Sequence, residues 1–286
     1  MKNEIEKIKQ INEQYDLEHN SYIAFSGGKD STVLHYLIDL ALPDNKIPRV
    51  FSNTGLEYSD VVKFVKKMAK NDSRIIILNQ TRNIKKTLEK YGYPFKSKEH
   101  SMRVYQFNKG SNADYILKKY LGNDSSFSCP KMLRFQFKER GIYNFSHLCC
   151  QKLKKDLQHK WQMENKKTIT ITGMRNSEGG NRKRLGCITE NKKFHPLVVC
   201  SKEWEEWFIN KFNIELCRLY YPPFNFERTG CKGCPFNINL ERDLDIMREF
   251  LPNEYKQCWL IWGYVYNEYR RIGYRLHYNL FNCDDL

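Results

Sequence analysis

Long apolar runs are missing from this sequence. Nowhere does it approach the roughly 18 consecutive apolar residues of a membrane-spanning helix. Its opening, MKNEIEKIKQ, is charged where a secretory signal is apolar. Both absences lead to the expectation of a cytoplasmic protein without membrane contact. Internal repeats, low-complexity tracts and flexible linkers are absent too, which excludes solenoid and fibrous architectures. Acidic residues are the scarcer charge, 33 against 48 Lys+Arg, for a formal +15. That balance favours polyanionic partners, nucleic acid or phosphate-rich ligands. It also fits a chain in which Lys, Asn, Ile and Tyr are abundant throughout. Hydrophobic residues, 41% of the chain, suffice for a core and exclude global disorder. Ten cysteines in a chain of 286 residues without a secretory start point to metal binding or catalysis rather than disulfides.

Ile5, Ile8 and Ile11 recur at helical spacing. Tyr22-Ile23-Ala24-Phe25 reads as a short buried strand that ends at Gly27-Gly28, and Val33, Leu34, Leu37, Leu40 and Ala41 then continue with helical period. Arg49-Val50-Phe51, Ile75 to Leu78 and Thr168 to Ile171 read as further strands, and Asp60 as the cap of the helix DVVKFVKKMAK. Buried runs alternating with helices predict an α/β fold with a doubly wound parallel sheet. A nucleotide-binding domain is expected over 1–200, with a polar, basic, helical insertion at about 81–165. A helical, cysteine-containing extension is expected over 201–286, with a helix around Trp259 to Tyr269.

Ser26-Gly27-Gly28-Lys29-Asp30-Ser31 joins the first strand to its helix. Two glycines let backbone N–H groups turn inward, and the helix N-terminus adds a positive dipole, so such a turn holds phosphate. Ser26 and Ser31 can donate hydroxyl hydrogen bonds, Lys29 brings a charge, and Asp30 can place a magnesium ion or cap the helix. The plain alternative is a Gly-Gly turn with a capping Asp. The loop fits neither G-x-x-x-x-G-K-[ST] nor G-x-G-x-x-G.

The segment resembles the SGGxDS hallmark of the PP-loop ATP pyrophosphatases, which implies cleavage of ATP between the α and β phosphates through an adenylated intermediate. Further matches resemble the phosphoadenosine phosphosulfate (PAPS) reductase family within that superfamily. They are Ser52-Asn53-Thr54-Gly55-Leu56-Glu57-Tyr58, Gly92-Tyr93-Pro94, Thr172-Gly173-Met174-Arg175, His195-Pro196-Leu197 with Trp204 and Trp207, and Arg228 to Phe236. They keep the family's order over most of the chain. The resemblance implies that Ser26 to Ser31, Ser52, Thr54, Gly55, Glu57, Gly173, Arg175 and Arg182 bind an adenine nucleotide, either ATP with Mg2+ or adenylyl sulfate (APS) or PAPS. Lys29, Asp30 and Ser31 are then the catalytic candidates. Arg182-Lys183-Arg184 also reads as a solvated charge run.

Cys149-Cys150 and Cys231-x-x-Cys234 form the other constellation. Adjacent cysteines, with Cα atoms about 3.8 Å apart, suit a multi-iron cluster better than one tetrahedral zinc. The pattern resembles that by which APS reductases hold a [4Fe-4S] cluster. Zinc and reduced structural thiols remain alternatives. Related DNA-phosphorothioation proteins have a cysteine ahead of the CxxC pair, which makes Cys217 an alternative ligand, and Cys129 is another. Cys187, Cys200 and Cys258 read as core residues.

Two activities from different classes follow. One is AMP-forming activation coupled to iron–sulfur-dependent sulfur transfer, drawing on a thiol or protein sulfur donor. Its acceptor is a nucleic acid (tRNA or DNA) or a small molecule. The other is reduction of APS or PAPS to sulfite. A non-catalytic nucleotide-binding regulator is a third reading. The complete SGGKDS favours the first, because sulfonucleotide reductases have no pyrophosphate to expel. Cys283, followed by Asp284 and Asp285, departs from the reductases' nucleophilic tail, since two carboxylates raise a thiol's pKa. A homodimer is compatible with every reading.

Overall fold

The computed structural model describes residues 1–110, 114–122, 128–178, 186–190 and 192–277. Its strands are β1 (Ser21–Phe25), β2 (Arg49–Asn53), β3 (Ile75–Asn79), β4 (Ile169–Ile171) and β5 (Lys193–Phe194). The helices are α1 (Lys2–Tyr15), α2 (Leu17–Asn20), α3 (Lys29–Ala41), α4 (Ser59–Asn71), α5 (Ile84–Tyr91) and α6 (Lys98–Asn108). They continue as α7 (Asp114–Leu121), α8 (Asp156–Glu164), α9 (Lys202–Lys211), α10 (Leu240–Phe250) and α11 (Pro252–Arg271). No helix among the described residues is long and apolar enough to cross a membrane.

The chain divides into two compact units, each discontinuous in sequence. The first comprises 1–80 and 156–230, the second 81–155 and 231–286. Trp204 and Phe208 of α9 stack 5.1 Å apart, and Phe208, Ile214 and Leu216 join the core of the first unit. The segment from 201 to 230 therefore belongs to the first unit, with the parallel sheet.

In the first unit the strands form one parallel sheet in the order β3-β2-β1-β4-β5. Ile23 of β1 sits opposite Arg49 of β2 on one side and Ile171 of β4 on the other. The strand order reverses between β1 and β4, so the ligand crevice of such a sheet lies outside their carboxyl ends. The helical period from Val33 to Ala41 buries Val33, Leu34, Leu37 and Ile38 completely against Ile23, Ile169 and Ile171. Each such side chain contributes roughly 1.5–3 kcal/mol. β5 is too short to show as a pattern in the sequence. Asp60 does not cap α4. The helix starts one residue earlier, with Tyr58 at the cap position, and Asp60 sits in the first turn, where its carboxylate pairs with Arg218 at 2.8 Å. There it still complements the helix dipole.

The second unit is built on aromatic side chains. Phe95 stacks on Phe145 at 4.3 Å and meets Tyr269 at 4.6 Å. His100, fully buried, has its Nδ1 2.8 Å from the Tyr120 hydroxyl and its Nε2 2.7 Å from Gln136 Oε1. The amide oxygen can only accept, so Nε2 carries the proton and Nδ1 accepts from the phenol. Burial lowers the pKa of His100 to about 4. His35 of the first unit is lowered to about 4 as well, by burial and the adjacent Arg49. In both cases the unfolded chain takes up the proton first, so stability present above about pH 6.5 is lost as pH falls towards 4, by up to about 3 kcal/mol for each group. Urea titrations between pH 7 and 4 are expected to show this loss, with a shallower slope for His100→Gln. An unchanged slope would place the acid sensitivity elsewhere.

Candidate functional site

The loop after β1 is tied by its own hydroxyls. Ser31 Oγ donates to the Gly28 carbonyl at 2.9 Å and lies 2.9 Å from Ser26 Oγ, while Thr32 Oγ1 donates to the same carbonyl at 3.0 Å. Gly27 has φ +68°, and a Cβ there would stand 2.6 Å from Val65 Cγ2. Gly173, just past β4, lies so close to the start of α3 that a Cβ would be 2.8 Å from the Asp30 carbonyl oxygen. The two glycines thus let the ends of β1 and β4 close on one crevice. Gly28 caps α3, and Lys29 opens its first turn.

Two side chains that sequence reading passed over complete this loop. The Tyr220 hydroxyl accepts from the Lys29 backbone N–H at 2.9 Å and lies 2.8 Å from Thr229 Oγ1. The Lys29 ammonium stands 5.5 Å from the centroid of the same ring. Burial pushes the Tyr220 pKa up to about 12, so the phenol stays neutral. Nothing local marks this residue among 18 tyrosines.

Arg175, the anion-binding candidate, is nearly buried. Its Nη2 is 2.9 Å from Asp30 Oδ1 and 3.2 Å from Glu205 Oε2, and Nη1 donates to the Ser201 carbonyl at 3.4 Å. Glu205, in the first turn of α9, is 1% exposed. Burial, with Asp30's negative charge, raises its carboxyl pKa to about 8 against the opposing pull of Arg175. Glu205 was also invisible in the sequence, as one of two adjacent glutamates between tryptophans.

At the end of β2, Ser52 is fully buried, and its Oγ has no hydrogen-bond partner among the described residues. Glu57 closes the following turn, accepting from Thr54 N at 2.8 Å and Thr54 Oγ1 at 2.9 Å, with Gly55 at φ +82°. Its carboxylate is thereby committed to the shape of the turn. Arg182, with Gly179 and Gly180, lies outside the described residues.

All four cysteines of the CC and CxxC pairs belong to the second unit. Cys149 and Cys150 have their sulfurs 4.0 Å apart, just before the π-helical turn Gln151–Lys155. Hydrogen bonding from Cys149, helped by Lys98, Lys154 and Lys155, lowers the Cys150 thiol to about 6, and the donating Cys149 is raised. The charges of Cys231 and Cys234 also act on Cys149, and that of Cys150 on Cys234, which burial pushes up to about 12. α11 holds the CxxC turn with one face. Trp262 Nε1 donates to the Lys232 carbonyl at 3.0 Å, Tyr266 Oη to that of Gly233, and Tyr269 Oη to that of Pro235 at 2.9 Å. Cys258 backs the turn, where a Cβ on Gly233 would stand 2.7 Å from its sulfur.

Among the described residues no group of three or more Cys, His, Asp or Glu is gathered so that it could hold a metal ion. The two thiol pairs lie within one unit, and Lys98, Lys154 and Lys155 place positive charge near Cys150. Cys217 is buried in the first unit and Cys129 in the second, while Cys187 and Cys200 pack with the first core.

Residues 20–237 match the model of the phosphoadenosine phosphosulfate reductase domain. Over 258 residues the chain is 36% identical to an uncharacterized protein of Methanocaldococcus jannaschii, covering 84% of this chain and 49% of that protein. The chain thus spans about half the length of the curated relative it matches. Similar solved structures include a phosphoadenylyl-sulfate reductase from Candida auris, with TM-score 0.46 and 13% identity over 79% of this chain and 88% of that one. A U34-tRNA thiolase from Methanococcus maripaludis with its [4Fe-4S] cluster gives TM-score 0.38 and 15% identity, covering 100% of this chain and 85% of that one. An NH3-dependent NAD synthetase from Campylobacter jejuni gives 0.41 and 11%, covering 95% and 93%.

Proposed function

The chain belongs to the phosphoadenosine phosphosulfate reductase domain family, and from that premise we propose that it binds ATP at the β1–α3 loop and activates an acceptor with release of pyrophosphate, for iron–sulfur-dependent sulfur transfer. The observation that carries the reading is the convergence at the β1/β4 crevice of the Gly27-Gly28 turn, Lys29 and the Arg175–Asp30 pair.

Each residue has a defined task. Lys29 and the N-terminus of α3 stabilise charge as pyrophosphate leaves. Tyr220 fixes the Lys29 backbone, and Ser26 and Ser31 keep the loop closed. Arg175 takes an anionic group of the nucleotide by bidentate hydrogen bonding. Asp30, paired with the guanidinium and partly in solvent, is the carboxylate at hand for the magnesium ion that accompanies ATP and neutralises phosphate charge. Ser52 offers an unused hydroxyl at the end of β2. Cys149, Cys150, Cys231 and Cys234 would hold a [4Fe-4S] cluster, which supplies a site for sulfur chemistry. The +15 charge supports a nucleic-acid acceptor.

The test is paired. Anaerobic protein is incubated with Mg-ATP and assayed for AMP and pyrophosphate, and separately with APS or PAPS and a thiol for sulfite. Pyrophosphate release is expected, falling by well over roughly tenfold in Lys29→Ala while the fold is retained, because a charge at the phosphates is lost in a water-poor site. Sulfite formation without any ATP turnover would replace this reading with sulfonucleotide reduction.

A further inference from the structure

The Arg175 guanidinium does not sit alone at the crevice: among the described residues it meets two acidic side chains, and they are not equivalent. Both reach the same nitrogen, Nη2, Asp30 at 2.9 Å and Glu205 at 3.2 Å. Asp30 has a third of its side chain in solvent (33%), whereas Glu205 has 1%. Asp30 rides on the first turn of α3, in the phosphate loop itself. Glu205 rides on the first turn of α9, whose N-cap is Ser201. The Ser201 hydroxyl accepts from Trp204 N at 3.1 Å, and its carbonyl accepts from Arg175 Nη1. Arg175 is therefore held at the α9 terminus by the buried Glu205 side chain and the Ser201 carbonyl, and its Nη2 also meets Asp30, whose side chain is partly in solvent.

An anion arriving in the crevice can compete with Asp30, because that side chain reaches solvent even though its Oδ1 is covered at the contact. It cannot displace Glu205 without opening the core beneath α9, where Phe208 is fully buried and stacks on Trp204. We propose that Glu205 is the fixed anchor that positions Arg175 for the anionic group of the bound adenine nucleotide, and that Asp30 is the partner Arg175 exchanges for that group. The inference rests on the nucleotide-binding reading above. It adds a residue that the Trp204 and Trp207 motif brackets without singling out, and it assigns Asp30 two successive partners: Arg175 before the nucleotide binds, the accompanying cation once the nucleotide is in place.

The experiment is a double-mutant cycle read by calorimetric binding of ATP and of APS in buffer containing EDTA, with thermal denaturation of every variant as the control. The two ligands separate a phosphate from a sulfate as the group Arg175 reads. Glu205→Ala is expected to weaken the ligand that Arg175 reads by about tenfold, and to have no further effect in an Arg175→Ala background, because an anchor acts only through what it anchors. Should Glu205→Ala not fold, Glu205→Asp, which draws the carboxyl back by one methylene, is expected to lose about threefold by the same route. Asp30→Asn in EDTA is expected to bind about threefold more tightly, because the competitor for Arg175 is weakened.

Binding that is unchanged in the Glu205 variants, or an equal loss in the Arg175→Ala background, would overturn the anchoring role. Failure of Asp30→Asn to tighten binding would overturn the exchange. Wild-type protein that binds neither ATP nor APS would instead remove the nucleotide-site reading on which the proposal stands.

Discussion

Cys231→Ser protein prepared without oxygen is expected to retain less than about one iron per chain, where the wild type carries about four with as many acid-labile sulfides. Its circular dichroism should be unchanged. The second half of that expectation comes from α11. The carbonyls of Lys232, Gly233 and Pro235 are held by Trp262, Tyr266 and Tyr269, so the turn keeps its path without the Cys231 sulfur. The first half comes from chemistry. A serine hydroxyl is a poor replacement for thiolate at iron, and one open corner exposes a cluster to water and oxygen. Cys200→Ser is the control, since Cys200 lies in the core of the first unit and should leave the iron untouched. AMP release from ATP can survive in Cys231→Ser, whereas sulfur transfer should be abolished. A colourless wild type holding one zinc would replace the cluster with a zinc site.

Gly27→Ala is expected to cost about 2–5 kcal/mol and to abolish nucleotide binding. A positive φ costs an alanine about 1–2 kcal/mol, and the new methyl meets Val65 Cγ2 at 2.6 Å and Val61 Cγ1 at 3.0 Å. Overpacking of that kind adds roughly 1–3 kcal/mol. The chain can relieve the clash only by moving the loop or α4, and either shift pulls Ser26 from Ser31 and Lys29 from Tyr220. Denaturant unfolding measures the cost. The variant Gly27→Ala/Val65→Ala separates its parts, because shortening Val65 returns the packing share and leaves the backbone share. A Gly27→Ala protein as stable as wild type, with ATP affinity intact, would mean that the loop does not need its left-handed turn.

The parts of this fold that could be read in advance are those written locally. Tyr22 to Phe25 is a buried run that stops at two glycines, and it became β1, the central strand, with the loop at its carboxyl end. The helical period after Asp30, the buried runs at β2, β3 and β4, and the CxxC turn have the same character. What stayed hidden depends on partners far apart in sequence. Tyr220 reaches Lys29 across 191 positions, and α11 reaches the turn around Gly233 across about 30. Glu205 gains its role only because α9 sets it against Arg175, and in sequence it is one more acidic residue at a helix start. The discontinuous units follow the same logic. Trp161 packs on Tyr22 at 5.4 Å, which returns the chain to the first unit at a point where composition does not change.

Three hydrogen bonds from one helix face to three carbonyls turn the cysteine hairpin into a socket whose form is set before anything is plugged into it. Most small metal-binding turns acquire their shape from the metal, so assembly of the protein and supply of the metal must coincide. On the proposed reading of these cysteines the two would be uncoupled, because the hydrogen bonds from Trp262, Tyr266 and Tyr269 would shape the turn whether or not its thiols hold a metal.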